Sequence, residues 1–497
     1  MLCNWQLHKD YQNNLKLKLL FYQKTQRSRL VSLDKSISKI YLLNLDNLLP
    51  IVKSLYPDFG RPAKNQQGII RSLILMLDLQ EYSITKWASI VKSDKLLFDI
   101  CGFETQDAPS VASYYDLLSR LWLGSHRQHI RRKSKTRKFH PKPSKKLKAN
   151  QKLPNKRSGI VKRLVNKLIN AKLPKSRPEE ILQKFLARCV IDYSGELGLL
   201  GNTSAISVAF DGSPYYSSAN HYGVKVCDCK VKGIHNCKCP RRYSDPDATW
   251  GWDSYRERWF FGNTLFNVTA SDSPNDLPIY LKIVQASRHD SVTTIFALRD
   301  IFELYPNLKF KNFLADGAMD NYPTYELLKH YDVLPFISLD SRTKAKFNYE
   351  HPSILCFDDK GRPICHGGIP YYNWGYSKPK GIKYRCWFTC HGQEPPEECK
   401  CSDSKYGKVV HIKPDYDLRM FPPVPRYSQA FKDKFKTRTS VERSNKRMFV
   451  DYNIENVRSQ SSKLRFSMAT FAVINIHSDA WIKHLKFSLL TTLELAA

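Results

Sequence analysis

Asp211, Asp316 and Glu442 are the residues of this chain best suited to chemistry: three carboxylates, 105 and 126 residues apart, on segments of regular character. Asp211 closes the alternating, strand-like run Ile206-Ser-Val-Ala-Phe-Asp211-Gly-Ser, and Asp316 closes a second, Phe310-Lys-Asn-Phe-Leu-Ala-Asp316-Gly. Glu442 lies in Thr437-Arg-Thr-Ser-Val-Glu442-Arg-Ser-Asn-Lys-Arg447, which reads as a helix. Two carboxylates about 4 Å apart at an effective dielectric of about 20 repel by roughly 4 kcal/mol. That is about three pKa units, so a gathered trio needs cations between its oxygens to stay ionised at neutral pH. Hard oxygen ligands favour Mg²⁺ or Mn²⁺. Two such ions can activate an attacking oxygen and stabilise a leaving one in phosphodiester displacement. Each acid alone reads more simply as a turn residue or helix cap; the surrounding charge is what raises the metal reading above that.

That charge is large, since 79 Lys+Arg against 46 Asp+Glu give a formal net charge of +33 and a pI near 9.6. Such a field attracts polyanions. Residues 127–177 hold 20 Lys+Arg and no acid, including Arg131, Arg132 and Lys133. Like charges at this density resist compaction, which predicts a largely disordered arm that grips phosphates and releases counterions. The plainer alternative is a solubilising linker.

Two cysteine sets offer a different metal chemistry. Cys227, Cys229, Cys237 and Cys239 supply four thiols within 13 residues, with His235 beside them, and Cys386, Cys390, Cys399 and Cys401 supply four more. Tetrahedral Zn²⁺ takes four such ligands and can order a loop that has no core of its own. One zinc site per set, or one shared site, is expected; reduced thiols in an irregular segment are the alternative.

The elements that must position these groups follow from composition and periodicity. At 497 residues and about 150 per domain, roughly three domains are expected, and 42% hydrophobic residues suffice for real cores. No apolar run approaches the roughly 20 residues of a membrane span, and the start of the chain lacks the charged-then-apolar order of a signal peptide. A cytoplasmic, DNA-associated protein with reduced thiols is predicted. Residues 1–125 form a helical unit: Ser83 caps a helix bearing Ile84, Trp87, Ala88 and Val91 on one face, and Val111, Tyr114, Leu118 and Leu121 repeat that stripe. Separated by the turn at Cys101-Gly-Phe, they fit a helix-turn-helix that reads DNA, as well as any small helical bundle.

Residues 126–178 are the basic arm. A mixed α/β core then opens at 179–344, with strands at 206, 259 and 277 in an antiparallel meander, a helix over 291–305, the Asp316 strand, a helix near 325–330 and a strand at 333–339. Residues 345–430, rich in Pro, Gly, Cys and Tyr, predict an irregular or β-rich insertion. Its run Tyr371-Tyr-Asn-Trp-Gly-Tyr376 reads first as packing and second as a stacking surface for unpaired bases. The chain returns to helix over 431–497, which carries Glu442.

The motifs Val208-Ala-Phe-Asp211-Gly-Ser, Leu314-Ala-Asp316-Gly-Ala and Arg438-Thr-Ser-Val-Glu442-Arg-Ser-Asn445 resemble those of DDE-type insertion-sequence transposases. The resemblance implies a ribonuclease-H-like core, two Mg²⁺ or Mn²⁺ ions held by Asp211, Asp316 and Glu442, cleavage at the ends of a mobile element and attack of the freed 3′-hydroxyl on target DNA. It further implies double-stranded DNA as partner and a homodimer that holds two ends together. One branch carries a tyrosine, arginine, glutamate and lysine signature. Here Arg438 and Glu442 match it, while Phe435 and Phe449 stand at the tyrosine and lysine positions. Arg438, Arg443, Lys446 and Arg447 are the expected phosphate contacts near the site, although Arg438 and Lys446 at i,i+4 from Glu442 also suit a surface ion-pair ladder. Two other functions fit the same residues: a nuclease or resolvase without strand transfer, and a transposase-derived DNA-binding protein without catalysis.

Overall fold

The structure, a computed structural model, describes residues 1–2, 5–103, 108–124, 130–131, 158–173, 178–340, 349–394, 396 and 402–494. Its centre is a mixed six-stranded sheet flanked by helices. The strand order is Thr249–Asp253, Arg258–Ala270, Ile206–Tyr216, Phe310–Ala315, Leu334–Ile337, and Pro278–Gln285 pairs with Arg258–Ala270 beyond the short edge strand. The first three pairings are antiparallel and make the expected meander. The last two are parallel, with helices Asp290–Leu304 and Tyr322–His330 as connections. Ile206 to Phe210 are all buried, as suits a central strand covered on both faces.

The Asp211 strand does not stop at Asp211. It runs on to Tyr216 because Arg258–Ala270 pairs with it continuously from Val208↔Ala270 to Tyr216↔Gly262. Asp211 therefore sits in mid-strand, where the backbone is held on one side by a full ladder. The Thr249–Asp253 strand, absent from the expected order, presents Trp250 and Trp252 outward while Thr249, Gly251 and Asp253 are buried.

Helix Ser462–Leu485 joins the two halves of the molecule. It is capped by Ser461 and buries Phe466, Phe471, Ile474, Ile476 and Trp481. It is buried on nearly every side, its polar residues Arg465, Asn475 and His477 included. It packs on strand Pro278–Gln285 and on helices Arg27–Leu42 and Gln66–Asp78. Asn475 Nδ2 donates to Ile74 O at 3.0 Å, and His477 bridges Ser194 Oγ at 2.7 Å and Pro278 O at 2.8 Å. The helices of residues 1–125 consequently share one hydrophobic core with the sheet. Ser83 and Ser110 cap the two expected helices, Ile84–Ser93 and Val111–Arg120, whose apolar stripes point into that core. No described helix is long and apolar enough to cross a membrane.

Of two segments set apart by charge or composition, the basic one departs from expectation and the 345–430 insertion follows it. Within the basic segment, expected to be disordered, Ile160–Ile169 is a helix that packs on Asp290–Leu304 and Tyr322–His330 and buries Val165. Val161, Leu164, Val165 and Leu168 line one face of it; Val165 is buried and the other three are half-buried, a burial that outweighs repulsion among cations that all reach solvent. The insertion is β-rich with a small core of its own, formed by Tyr371, Ile382, Tyr384, Val410, Ile412 and Phe421 around strands Tyr372–Ser377, Gly381–Arg385 and Val409–Ile412. In the aromatic run Tyr371 is buried and donates to Ser353 O at 2.8 Å, whereas Tyr372, Trp374 and Tyr376 are exposed. A fully buried ion pair, Arg419 to Asp320 at 2.6 Å, bolts the insertion to the loop that follows Asp316.

Candidate active site and metal centre

Asp211 and Asp316 stand at matching positions of adjacent parallel strands. The register pairs Ala209 with Leu314, and each acid lies two residues further on. Side chains two apart share a face of the sheet, so both carboxylates project from the same side at the same level. Asp316 follows the last strand residue, Ala315, and its carboxylate accepts from Ala318 N at 3.0 Å, turning the chain into a short 3-10 helix.

Glu442 reaches this region on helix Thr439–Lys446, which packs across the Asp211 strand and its neighbour Arg258–Ala270. One turn on from Glu442, Asn445 Nδ2 donates to Asp211 Oδ2 at 3.0 Å. Asn445 in turn accepts from Asn267 Nδ2 at 2.9 Å, and Asn267 is the cross-strand partner of Asp211. One turn back, Arg438 pairs with Glu442 at 2.5 Å. The side chain of Glu442 is half exposed, and this pair holds it. Among the described residues, the three carboxylates are not a set whose oxygens all lie within 4.8 Å of one another.

A fourth acid joins them. Asp290 opens helix Asp290–Leu304, and its Oδ1 lies 2.7 Å from where a Cβ on Gly212 would be. Gly212, the residue after Asp211, is thus the space that lets the Asp290 carboxylate approach the strand. Burial, then the charges of Asp290 and Asp316, push the Asp211 carboxyl up to about 7 against the opposing pull of the Gly212 N–H and Arg438. Burial chiefly, with Asp316 adding to it, pushes Asp290 up to about 6 while His289 opposes. Crowding of this kind disfavours ionisation of Asp211 and Asp290 together. A cleft of about 320 Å³ opens beside them, lined by Gly212, Thr264, Trp252, Phe260, His289 and Asp290.

The basic residues around Glu442 divide into two kinds. Lys446 is exposed, and Arg438 faces the acids. Arg443 is held by Asp276 through two contacts of 2.7 Å, and Arg447 donates to Asn275 O at 3.0 Å and lies 3.5 Å from Asp479. Phe435 and Phe449, at the positions where the family signature has tyrosine and lysine, are packed against Phe431 and Tyr215. Arg131 belongs to a short strand, Ile130–Arg131, that pairs with Arg241–Arg242. Arg132 and Lys133 lie outside the described residues.

The first cysteine set comes together. The Sγ atoms of Cys227, Cys229, Cys237 and Cys239 all lie within 4.8 Å of one another, an arrangement that could bind a metal ion such as zinc. Hydrogen bonds from the Cys229 N–H and the Cys237 thiol lower Cys227 to about 7, while the hydrogen bond to Cys239, then that to Cys227, pushes Cys229 up to about 12. Thiols this close titrate together rather than singly. Of the second set, Cys386 is buried and Cys390 half-buried; Cys399 and Cys401 lie outside the described residues.

Asp290, Asn267 and Gly212 were not singled out from the sequence, and Asn445 stood in the Glu442 motif without a role. Asp290 has an adequate local reading as an acid in the first turn of a helix, which hides its neighbours in space. Comparison with known proteins finds no family model that matches this chain and no curated protein with significant similarity to it.

Proposed function

We propose that this protein is a DNA transposase of the DDE type with a ribonuclease-H-like core. The observation that carries this reading is that Asp316, one residue past the end of its strand, comes level with Asp211 on the adjacent parallel strand, with the Glu442 helix tied to Asp211 through Asn445. The sheet order, an antiparallel meander continued by parallel strands with helical connections, supports it as well.

Asp211, Asp316 and Glu442 would hold Mg²⁺ or Mn²⁺, two ions in the full reaction, with Asp290 adding negative charge beside Asp211. Bound there, the ions supply activation of the attacking oxygen and stabilisation of the leaving one. The protein's own work is positional. Asn445 keeps the Asp211 carboxylate oriented, the backbone of Ala318 orients Asp316, and Arg438 holds Glu442 on the exposed side of its helix. Lys446, exposed one turn after Glu442, and the basic segment contact phosphates of the element ends and target. Two copies acting together hold the two ends, in the cytoplasm where the DNA is reached.

The test is Mn²⁺-dependent cleavage and joining on DNA spanning both ends of the locus that encodes the protein, comparing wild type with Asp316→Ala. Cleaved and joined products from wild type alone are the expected result. Cleavage without joining is the outcome for a nuclease or resolvase, and binding with neither is that for a non-catalytic DNA-binding protein.

A further inference from the structure

We infer that Cys227, Cys229, Cys237 and Cys239 hold one Zn²⁺ that folds residues 224–242 and, through that fold, fastens the start of the basic segment to the core. The inference is independent of the transposase reading, since it concerns what keeps this part of the chain folded.

The distances suit the ion. In a tetrahedral site with zinc–sulfur bonds of about 2.3 Å, neighbouring sulfurs are about 3.8 Å apart. Here Cys227 and Cys237 lie at 3.5 Å and Cys229 and Cys239 at 3.6 Å, with all four Sγ atoms within 4.8 Å of one another. A disulfide needs about 2.05 Å, so the sulfurs are spaced as ligands around a centre and not as bonded pairs. Four thiolates filling a tetrahedron leave no open position, which makes the site structural.

The loop also lacks a hydrophobic core of its own. No residue from Val224 to Arg242 is buried; Val231 is 89% exposed and Ile234 52%. Its regular structure consists of two-residue strands, Val224–Lys225 and Arg241–Arg242, too short to persist unsupported. Cys227 follows the first strand by two residues and Cys239 precedes the second by two, so a metal between them staples the base of the ribbon. Beyond the ribbon the chain is anchored by Asp245, which accepts from Arg465 at 2.6 Å and from Ser217 Oγ at 2.7 Å in the protein interior.

Arg241–Arg242 is the middle strand of three. It pairs with Val224–Lys225 on one side and with Ile130–Arg131, at the head of the basic segment, on the other. Metal binding at the cysteines, with release of thiol protons to solvent, is therefore coupled to docking of residues 130–131.

The experiment is metal analysis of full-length protein purified without chelators, for zinc and iron together, on wild type, Cys237→Ser and Cys386→Ser. About one zinc per chain in wild type and Cys386→Ser, and none in Cys237→Ser, is expected from a single four-thiolate site. No metal in wild type, iron in place of zinc, or loss of the zinc in Cys386→Ser would overturn the assignment. Because Cys237→Ser can misfold, wild-type protein is also stripped with 1,10-phenanthroline and followed by hydrogen exchange. Peptides covering 224–242 and 130–131 should exchange at least about tenfold faster after stripping and recover on adding zinc. Unchanged protection in either peptide overturns the clasp.

Discussion

Asn445 donates its side-chain amide to Asp211 Oδ2 at 3.0 Å across 234 residues of sequence. Its own carbonyl accepts from Asn267, the residue opposite Asp211 in the sheet, so the strand pair and the Glu442 helix are locked by three side chains. Substituting Asn445→Ala should cost about 1–3 kcal/mol of stability by stranding buried polar groups. In the proposed reaction it should also slow cleavage by at least about tenfold, because a 1 Å misplacement near reacting groups has effects of that size or more. Urea unfolding and initial cleavage rates check both; an unchanged rate in a folded variant would remove Asn445 from the positioning of Asp211.

The crowded acids make metal-free stability fall as pH rises. Asp211 at about 7 and Asp290 at about 6 both lie above the ordinary aspartate value of 3.8. Their folded, protonated forms are favoured, so this stability is complete below about pH 4 and is lost as pH climbs through 6 and then 7. Asp211→Asn should flatten that slope and raise stability near neutral pH by about 1–3 kcal/mol in chelator, less than the full shift because the acids are coupled. Denaturation in EDTA across the pH range measures it, and an equally steep slope in the variant would count against the raised Asp211.

Asp290 is the acid whose part is visible only in space. Replacing it by Asn removes a neighbouring charge and should let Asp211 ionise at lower pH. The acidic limb of the pH–rate profile for Mn²⁺-dependent cleavage should move down by about one unit. A profile that scales in height without moving would reduce Asp290 to a first-turn helix acid.

The Arg419–Asp320 pair holds the insertion against the loop after Asp316, with both side chains at most 2% exposed. Arg419→Leu leaves Asp320 buried without its cation and should destabilise by about 3–5 kcal/mol. The double variant with Asp320→Leu should recover part of that loss, as read by thermal and urea unfolding. Full additivity of the two single changes would mean that the pair does not act as a unit.

The basic segment can be trimmed without touching the helix that packs on the core. Removing 132–157 deletes 12 Lys+Arg and no acid while keeping Ile160–Ile169. DNA affinity should fall similarly on unrelated sequences, and the slope of log affinity against log salt should become shallower. Loss on one sequence alone would instead make the segment a base reader.

Much of the sheet was legible from the chain itself. Alternating or continuous apolar runs around 206, 259, 277, 310 and 333 mark strands because side chains on a strand repeat every two residues, and the structure has a strand at each. The same rule fixed neither the end of the Asp211 strand nor the Trp250 edge strand, because both depend on how far the neighbour Arg258–Ala270 extends. Charge concealed the Ile160–Ile169 helix, whose stripe acquires meaning only when two other helices cover it.

The site divides in the same way. Asp211, Asp316, Glu442 and the first four cysteines stand out as candidates by residue type and spacing, although each acid alone also suits a turn or helix cap. Register and packing decided the rest: that Asp211 and Asp316 stand level on parallel strands, that Gly212 makes room for Asp290, and that Asn445 ties the Glu442 helix to the sheet. Those relationships join residues far apart in the chain, where no local periodicity reaches, and only closure of the common core brings them together.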